Sequence, residues 1–208
     1  MRFTMIIPVH NGRYRIETLL DSIMTQQFTD YDVIVVCDKC TDGTADFVRK
    51  YFKNTFMDDM NRYDIIECDH GNAGLSRNEG LSKATGEYIL FADDDDYILH
   101  KYVFQEIDKL IRANDNPDII HFGFIFGTLG YVHPMWNDGH LYGNVWSKAY
   151  KRTAIADTRF PNVYPDDDLQ FNMLMEKKPL RHLLSDSPIY YYNYMREGSI
   201  SWKEKQES

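Results

Sequence analysis

Four short strand-like runs, spread through the first hundred residues, constrain this chain more than any other feature. Residues 3–9, 31–36 and 88–92 are largely apolar, without polar alternation, and residues 64–68 read as a fourth, more mixed strand. Such runs are expected of strands covered on both faces. Between them the period changes. In residues 13–27, Ile16, Leu19, Leu20, Ile23 and Met24 recur at helical spacing, and residues 44–52 and 75–84 read as two more helices. Thr41 or Asp42 can cap the second, and Gly86 stops the third. Strand and helix alternating across short connections predict right-handed βαβ units, hence an α/β fold with a mostly parallel central sheet flanked by helices. In such sheets ligands bind beyond the carboxyl ends of the strands. Each unusual cluster lies at such an end: Pro8-Val9-His10-Asn11-Gly12, Cys37-Asp38-Lys39-Cys40-Thr41-Asp42-Gly43, Asp69-His70-Gly71-Asn72, and Asp93-Asp94-Asp95-Asp96.

The second half is less regular. Residues 100–114 read as a helix and 119–126 as a long apolar strand. Residues 127–143 suggest turns or a small hairpin. Residues 147–154 and 167–176 are predicted helices, and the tyrosine-rich residues 188–195 a late strand. No linker or repeat divides the chain, so 1–208 reads as one domain. It has a nucleotide-binding half (1–99), a smaller acceptor-side half (100–195) and a tail (196–208) expected to be mobile.

Lys and Arg number 23 against 32 Asp and Glu, a net charge of −9. That argues against a nucleic-acid partner, because phosphate gripping rests on basic side chains. The first nine residues do not form a signal peptide, since Pro8 breaks a short apolar run and no small-residue cleavage site follows. No stretch approaches the roughly 20 apolar residues that span a bilayer. The expected location is cytoplasmic, and three cysteines are then expected as reduced thiols. Cys37, Cys40, Cys68 and His70 could form a zinc set only if their loops met, and Cys-x-His is not a usual half-site.

The four aspartates carry the sharpest chemistry. Adjacent carboxylates repel, and the fold must offset that with a cation or with solvent. Hard divalent ions take oxygen ligands. Aspartates at i and i+2 after a buried strand project to one side and can share an ion. The plainer reading is an acidic solvated loop leading into the next helix.

These segments also carry a resemblance. Phe91-Ala92-Asp93-Asp94-Asp95-Asp96-Tyr97 resembles the Asp-x-Asp-Asp stretch of family-2 inverting glycosyltransferases. Residues 6–12 are similar to that family's first strand and loop, with His10 where Tyr is usual. Residues 32–44 resemble its second motif, with Cys37 where Asp is usual. Gly71-Asn72-Ala73-Gly74-Leu75-Ser76-Arg77-Asn78-Glu79-Gly80-Leu81 resembles its third. Residues 145–152 and 167–172 match its later landmarks, with Asp167 where Glu is usual and Asp166 leaving the register open by one residue. The likeness runs over about residues 3 to 200.

It implies a GT-A fold and a metal-dependent, inverting hexosyl- or N-acetylhexosaminyl-transferring enzyme of glycan synthesis. Such an enzyme moves sugar from a nucleotide-diphosphate donor, UDP favoured, to a saccharide or lipid-linked saccharide. The family's roles fall on Pro8, Val9, His10 and Asn11 around the nucleobase, Asp38 as its hydrogen-bond acceptor, and Arg77 on the diphosphate. Asn72, Asp93 and Asp94 join the donor site. Asp95, with Asp93, would hold Mn²⁺ or Mg²⁺. Asp168 would be the general base, with Asp167 beside it. His133, Trp136 and His140 lie where acceptor contacts are placed. Residues 196–201 would close over the diphosphate, and Trp202 is a weak membrane-anchor candidate, so peripheral membrane contact stays open.

Two rivals remain at this stage. A nucleotidyltransferase would want a longer, more basic loop than His10-Asn11-Gly12-Arg13. A non-catalytic sugar-nucleotide module would not need both a metal loop and a base. Sugar, acceptor, linkage and oligomeric state are not readable.

Overall fold

The computed structural model describes residues 1–56, 62–135 and 141–194. Four parallel strands form its first half: β1 (Phe3–Val9), β2 (Tyr31–Asp38), β3 (Tyr63–Cys68) and β4 (Tyr88–Phe91). They alternate with α1 (Ile16–Met24), α2 (Thr44–Phe56) and α3 (Ala73–Lys83). β1, β2 and β4 are buried along their whole length, as continuous apolar runs require. β3, at the sheet edge, is only partly covered.

The sheet continues past β4 with mixed directions, in the order β3-β2-β1-β4-β8-β6-β9-β5. Here β5 is Tyr97–Ile98, β6 Ile119–Phe126, β8 Lys148–Lys151 and β9 His182–Tyr192. β8 runs antiparallel between β4 and β6, β9 lies parallel to β6, and β5 closes the edge antiparallel to β9. A 3₁₀ turn, Gly127–Leu129, reverses the chain into β7 (Gly130–Val132), which pairs with the end of β6 as the expected hairpin. Helices α4 (Val103–Ala113) and α6 (Asp167–Glu176) match their predicted positions, and α5 (Arg152–Ile155) is one turn.

Residues 147–154 correct the sequence reading. They were expected to be a helix, but Lys148–Lys151 is a buried strand and only the following turn is helical. Pairing on both edges, to Leu90 and Ile89 on one side and Ile119 to His121 on the other, outweighs local helix preference. The late strand also begins six residues earlier than predicted, at His182. No helix among the described residues is long and apolar enough to cross a membrane.

Strand order places the site. From β1 the chain winds outward to β2 and β3, then returns to the other side of β1 as β4. The carboxyl ends of β1 and β4 therefore flank the point where the winding reverses, the crevice in which open α/β sheets hold ligands. Close helix packing keeps that crevice rigid. Gly80 of α3 lies against β1, and a Cβ there would fall on Ile6 Cγ2. Gly80→Ala is expected to destabilise the fold by about 1–3 kcal/mol, read as a lower denaturant midpoint at unchanged slope.

Candidate active site

A cleft of about 810 Å³ opens at the carboxyl ends of β1, β2 and β4. The twelve residues given donor, metal or base roles from the sequence line it: Pro8, Val9, His10, Asn11, Asp38, Asn72, Arg77, Asp93, Asp94, Asp95, Asp167 and Asp168. They come from six separate stretches of chain, brought together by the convergence of strand ends.

Asp38, at the end of β2, is 4% exposed and saturated. Its Oδ1 accepts the backbone N–H of His70 (2.8 Å) and Gly71 (2.9 Å). Its Oδ2 accepts the N–H of Asn72 (3.0 Å) and the hydroxyl of Ser76 (2.9 Å). Burial opposes ionisation, but these donors outweigh it and hold the carboxyl below its ordinary range. The loop fixed this way leads into α3, which Asn72 caps by accepting the Leu75 N–H at 2.9 Å. Asn72 Nδ2 also donates to the Val163 carbonyl at 2.9 Å, tying in the segment that brings Tyr164 and Pro165 to the cleft. The His10 ring nitrogen Nδ1 lies 2.8 Å from the Asp38 carbonyl.

Arg77, one turn into α3, is 4% exposed and surrounded by acid. Its guanidinium meets Asp93 (2.8 Å), Asp167 (2.7 Å) and Asp168 (2.8 Å). The expected diphosphate contact is thus not an idle cation, because Nη1 and Nη2 already serve carboxylates. Arg15, from the turn before α1, plays the same part on the other wall. It pairs with Asp94 at 2.7 Å and donates to the carbonyls of His10 and Asn11.

The four aspartates after β4 are not equivalent. Burial pushes Asp93 up to about 6, with Arg77 opposing. It pushes Asp94 up to about 7 against the pull of Arg15. Asp96, 1% exposed, rises to about 9 through burial and the neighbouring Asp93. Asp96 is engaged at the end of β9: its Oδ1 accepts the Asn193 N–H at 2.8 Å. Asn193 Nδ2 donates to the Asp95 carbonyl at 3.2 Å, and the Tyr190 hydroxyl accepts the Asp93 N–H at 2.9 Å. The acid loop is therefore strapped to the end of β9. Asp93 and Asp95 are the two members of the run with exposed surface.

On the opposite wall α6 begins. Asp166 is exposed and makes no side-chain cap bond, whereas Asp167 is buried on Arg77. Asp168 is partly exposed; its Oδ2 accepts the Val145 N–H at 3.1 Å. Burial raises the Asp168 carboxyl, Arg77 opposes, and Asp167 adds to the rise.

Several cleft residues carry no signal readable in sequence. Arg15, Ser76, Tyr164, Pro165, Tyr192 and Asn193 all line it through contacts between distant segments. Elsewhere, Cys68 Sγ lies 3.9 Å from Ser76 Oγ, the His70 ring meets Glu79 at 3.0 Å, and Cys40 Sγ points to the Val9 carbonyl at 3.4 Å. His133 pairs with Asp186 at 2.9 Å, away from the lining residues. Trp136, His140, the expected lid 196–201 and Trp202 lie outside the described residues.

An α/β sheet with a nucleotide crevice at its switch point and an acid loop beside it defines the GT-A class of nucleotide-diphospho-sugar transferase folds. The family profile "Glycosyl transferase family 2" matches residues 4–184, and the chain belongs to that family. It is 38% identical over 213 residues to the poly(ribitol-phosphate) beta-N-acetylglucosaminyltransferase TarS of Staphylococcus aureus, covering 95% of this chain and 36% of TarS. Glycosyltransferase GlyA of Streptococcus pneumoniae is 27% identical over 237 residues, covering 98% and 32%. The chain spans about a third of the length of these relatives. A crystal structure of residues 1–349 of S. aureus TarS in complex with UDP-GlcNAc matches with a TM-score of 0.82 at 26% identity, over 97% of this chain and 61% of that one. The mannosyltransferase PcManGT of Pyrobaculum calidifontis, solved with GDP-Man and Mn²⁺, shares the fold with a TM-score of 0.76 at 18% identity, over 99% and 60%.

Asp38 gives a test of the site's architecture. Its folded carboxyl lies below the unfolded value, so its stabilisation is complete above about pH 4 and is lost as pH falls through the folded value. Asp38→Asn should cost about 1–3 kcal/mol at pH 7, since an amide nitrogen then faces backbone donors. The gap between variant and wild type in denaturant titrations should narrow below about pH 4.

Proposed function

We propose that this chain is a metal-dependent inverting glycosyltransferase. It would move a sugar, N-acetylhexosamine favoured, from a UDP donor to a hydroxyl of a growing glycan or lipid-linked saccharide. One observation carries the reading: a single cleft holds an acidic loop on one wall and a partly exposed carboxylate, Asp168, on the other, with Arg77 bonded to both. TarS, a relative named for N-acetylglucosaminyl transfer and solved with UDP-GlcNAc, supports the choice of donor.

In this reading His10, Val9 and the loop that Asp38 holds flank the nucleobase. Asp38 acts through the His70–Asn72 backbone, since its own oxygens are engaged. Asp168 accepts the acceptor's proton while the acceptor oxygen attacks the anomeric carbon. The bond from that carbon to the diphosphate oxygen breaks, and its electrons leave with the nucleoside diphosphate. A single displacement from the face opposite the leaving group inverts the centre. Burial makes Asp168 a stronger base than an exposed aspartate, and Arg77 opposes part of that rise by favouring the ionised form.

The residues present fit a divalent cation. Asp93 and Asp95 offer oxygen ligands at the cleft surface. Donor phosphates and water would complete the shell of an ion held there. When bound, such an ion would supply positive charge to the departing diphosphate.

Calorimetry should find that UDP binds more tightly with Mn²⁺ than with chelator, and that Asp95→Asn removes the difference. Equal affinity in both conditions would sink the metal assignment. Asp168→Asn should bind UDP and metal normally yet lose transfer by at least about a hundredfold. Asp166→Asn should be mild. A dead Asp167→Asn beside an active Asp168→Asn would move the base by one residue. Release of UDP from a UDP-sugar, dependent on acceptor, separates transfer from mere binding.

A further inference from the structure

Lys148, on β8, is only 2% exposed, and the reaction above does not use it. Burial pulls its ammonium down to about 7, opposed by the charges of Asp168 and Glu176. Among the described residues its hydrogen bonds go to one short stretch. Nζ donates to the Tyr142 carbonyl at 2.7 Å, to the Asn144 carbonyl, and to Asn144 Oδ1 at 3.2 Å. Three ammonium donors thus meet three acceptors on residues 142–144. The next residue, Val145, gives its N–H to Asp168 Oδ2 at 3.1 Å.

The same stretch is held from its other side. Asn172, one turn beyond Asp168 in α6, donates to the Gly143 carbonyl at 2.6 Å and to the Asp168 carbonyl at 3.0 Å. The Tyr150 hydroxyl fixes its amide at 2.7 Å. A buried cation is costly, and a buried hydrocarbon would fill the space without that cost. What the cation adds is a fixed position for three carbonyl-bearing residues immediately before the N–H that orients Asp168.

We infer that Lys148 is a positioning residue for Asp168, clamping residues 142–144 so that the Val145 N–H holds the carboxylate in its working orientation. This rests on the reading of Asp168 as the base. Misplacement of a reacting group by about 1 Å can cost on the order of a hundredfold. The test is a double-mutant cycle on the full chain with UDP-GlcNAc as donor, reading acceptor-dependent UDP release and UDP affinity. Lys148→Met should lower kcat by about ten- to a hundredfold, with UDP affinity and donor KM within about twofold of wild type. In an Asp168→Asn background the same change should cost nothing further, because the group it positions is gone. If Lys148→Met proves insoluble, Lys148→Gln, which keeps two of the three N–H donors, should show an intermediate kcat at unchanged KM. Equal losses in both backgrounds, parallel loss of UDP binding, or a wild-type kcat would each overturn the inference. A wild-type rate for Asp168→Asn alone would instead overturn the base assignment, a distinguishable result.

Discussion

One buried guanidinium joins the two halves of this molecule. Arg77 rises from α3, in the half built of parallel strands, and meets Asp93 after β4 and Asp167 and Asp168 at the start of α6. The acid loop and the candidate base are thereby held in fixed relation by a third group. Removing a partner from a buried ion cluster leaves an uncompensated charge, at a cost of about 3–5 kcal/mol. The surrounding chain is shaped to the cluster. Gly74 lies one turn before Arg77, and a Cβ there would come within 2.9 Å of Asp167 Oδ2. Only glycine lets α3 and α6 approach closely enough for the guanidinium to reach both aspartates.

The run of four aspartates is tolerable because the fold divides it. Asp94 has Arg15 and Asp93 has Arg77. Burial raises the Asp96 carboxyl and so disfavours its charge, and the bond from the Asn193 N–H straps it to the end of β9. Asp93 and Asp95 keep partly exposed surface at the cleft, Asp94 lines it while paired with Arg15, and Asp96 is buried. A sequence that looks like one acidic patch is four carboxylates in different surroundings.

The parallel half was legible because strands buried on both faces must be mostly apolar, and β1, β2 and β4 are. β8 was misread because Lys148 to Lys151 owes its strand to β4 and β6, which no local pattern reports. β9 begins with residues that are mostly exposed, so its first half lacks an apolar signature. All twelve candidate residues reached the cleft because strand ends converge by topology. Their partners were another matter. Side-chain chemistry says that Asp38 can accept hydrogen bonds and that Arg77 can bind anions. It does not say that the His70–Asn72 backbone and three aspartates claim them first. Arg15, Tyr192 and Asn193 were missed for the same reason, since they enter through contacts between distant segments.

That prior claim has an electrostatic consequence for the proposed donor. Among the described residues, the charged side chains lining the cleft are two guanidiniums, Arg15 and Arg77, against six aspartates, and both guanidiniums are already paired. A diphosphate entering unaccompanied would meet carboxylates rather than an idle cation. Two like charges about 4 Å apart repel by about 4 kcal/mol at an effective dielectric of 20, and a dianion would meet several. Protonating Asp93 and Asp94, whose carboxyls lie near 6 and 7, could relieve part of this only on the acid side of neutrality. At neutral pH and above, a cation bound together with the phosphates would supply that relief in the proposed reading. The paired state of Arg77 is in keeping with that proposal. It also explains why an acidic protein can be suited to an anionic ligand.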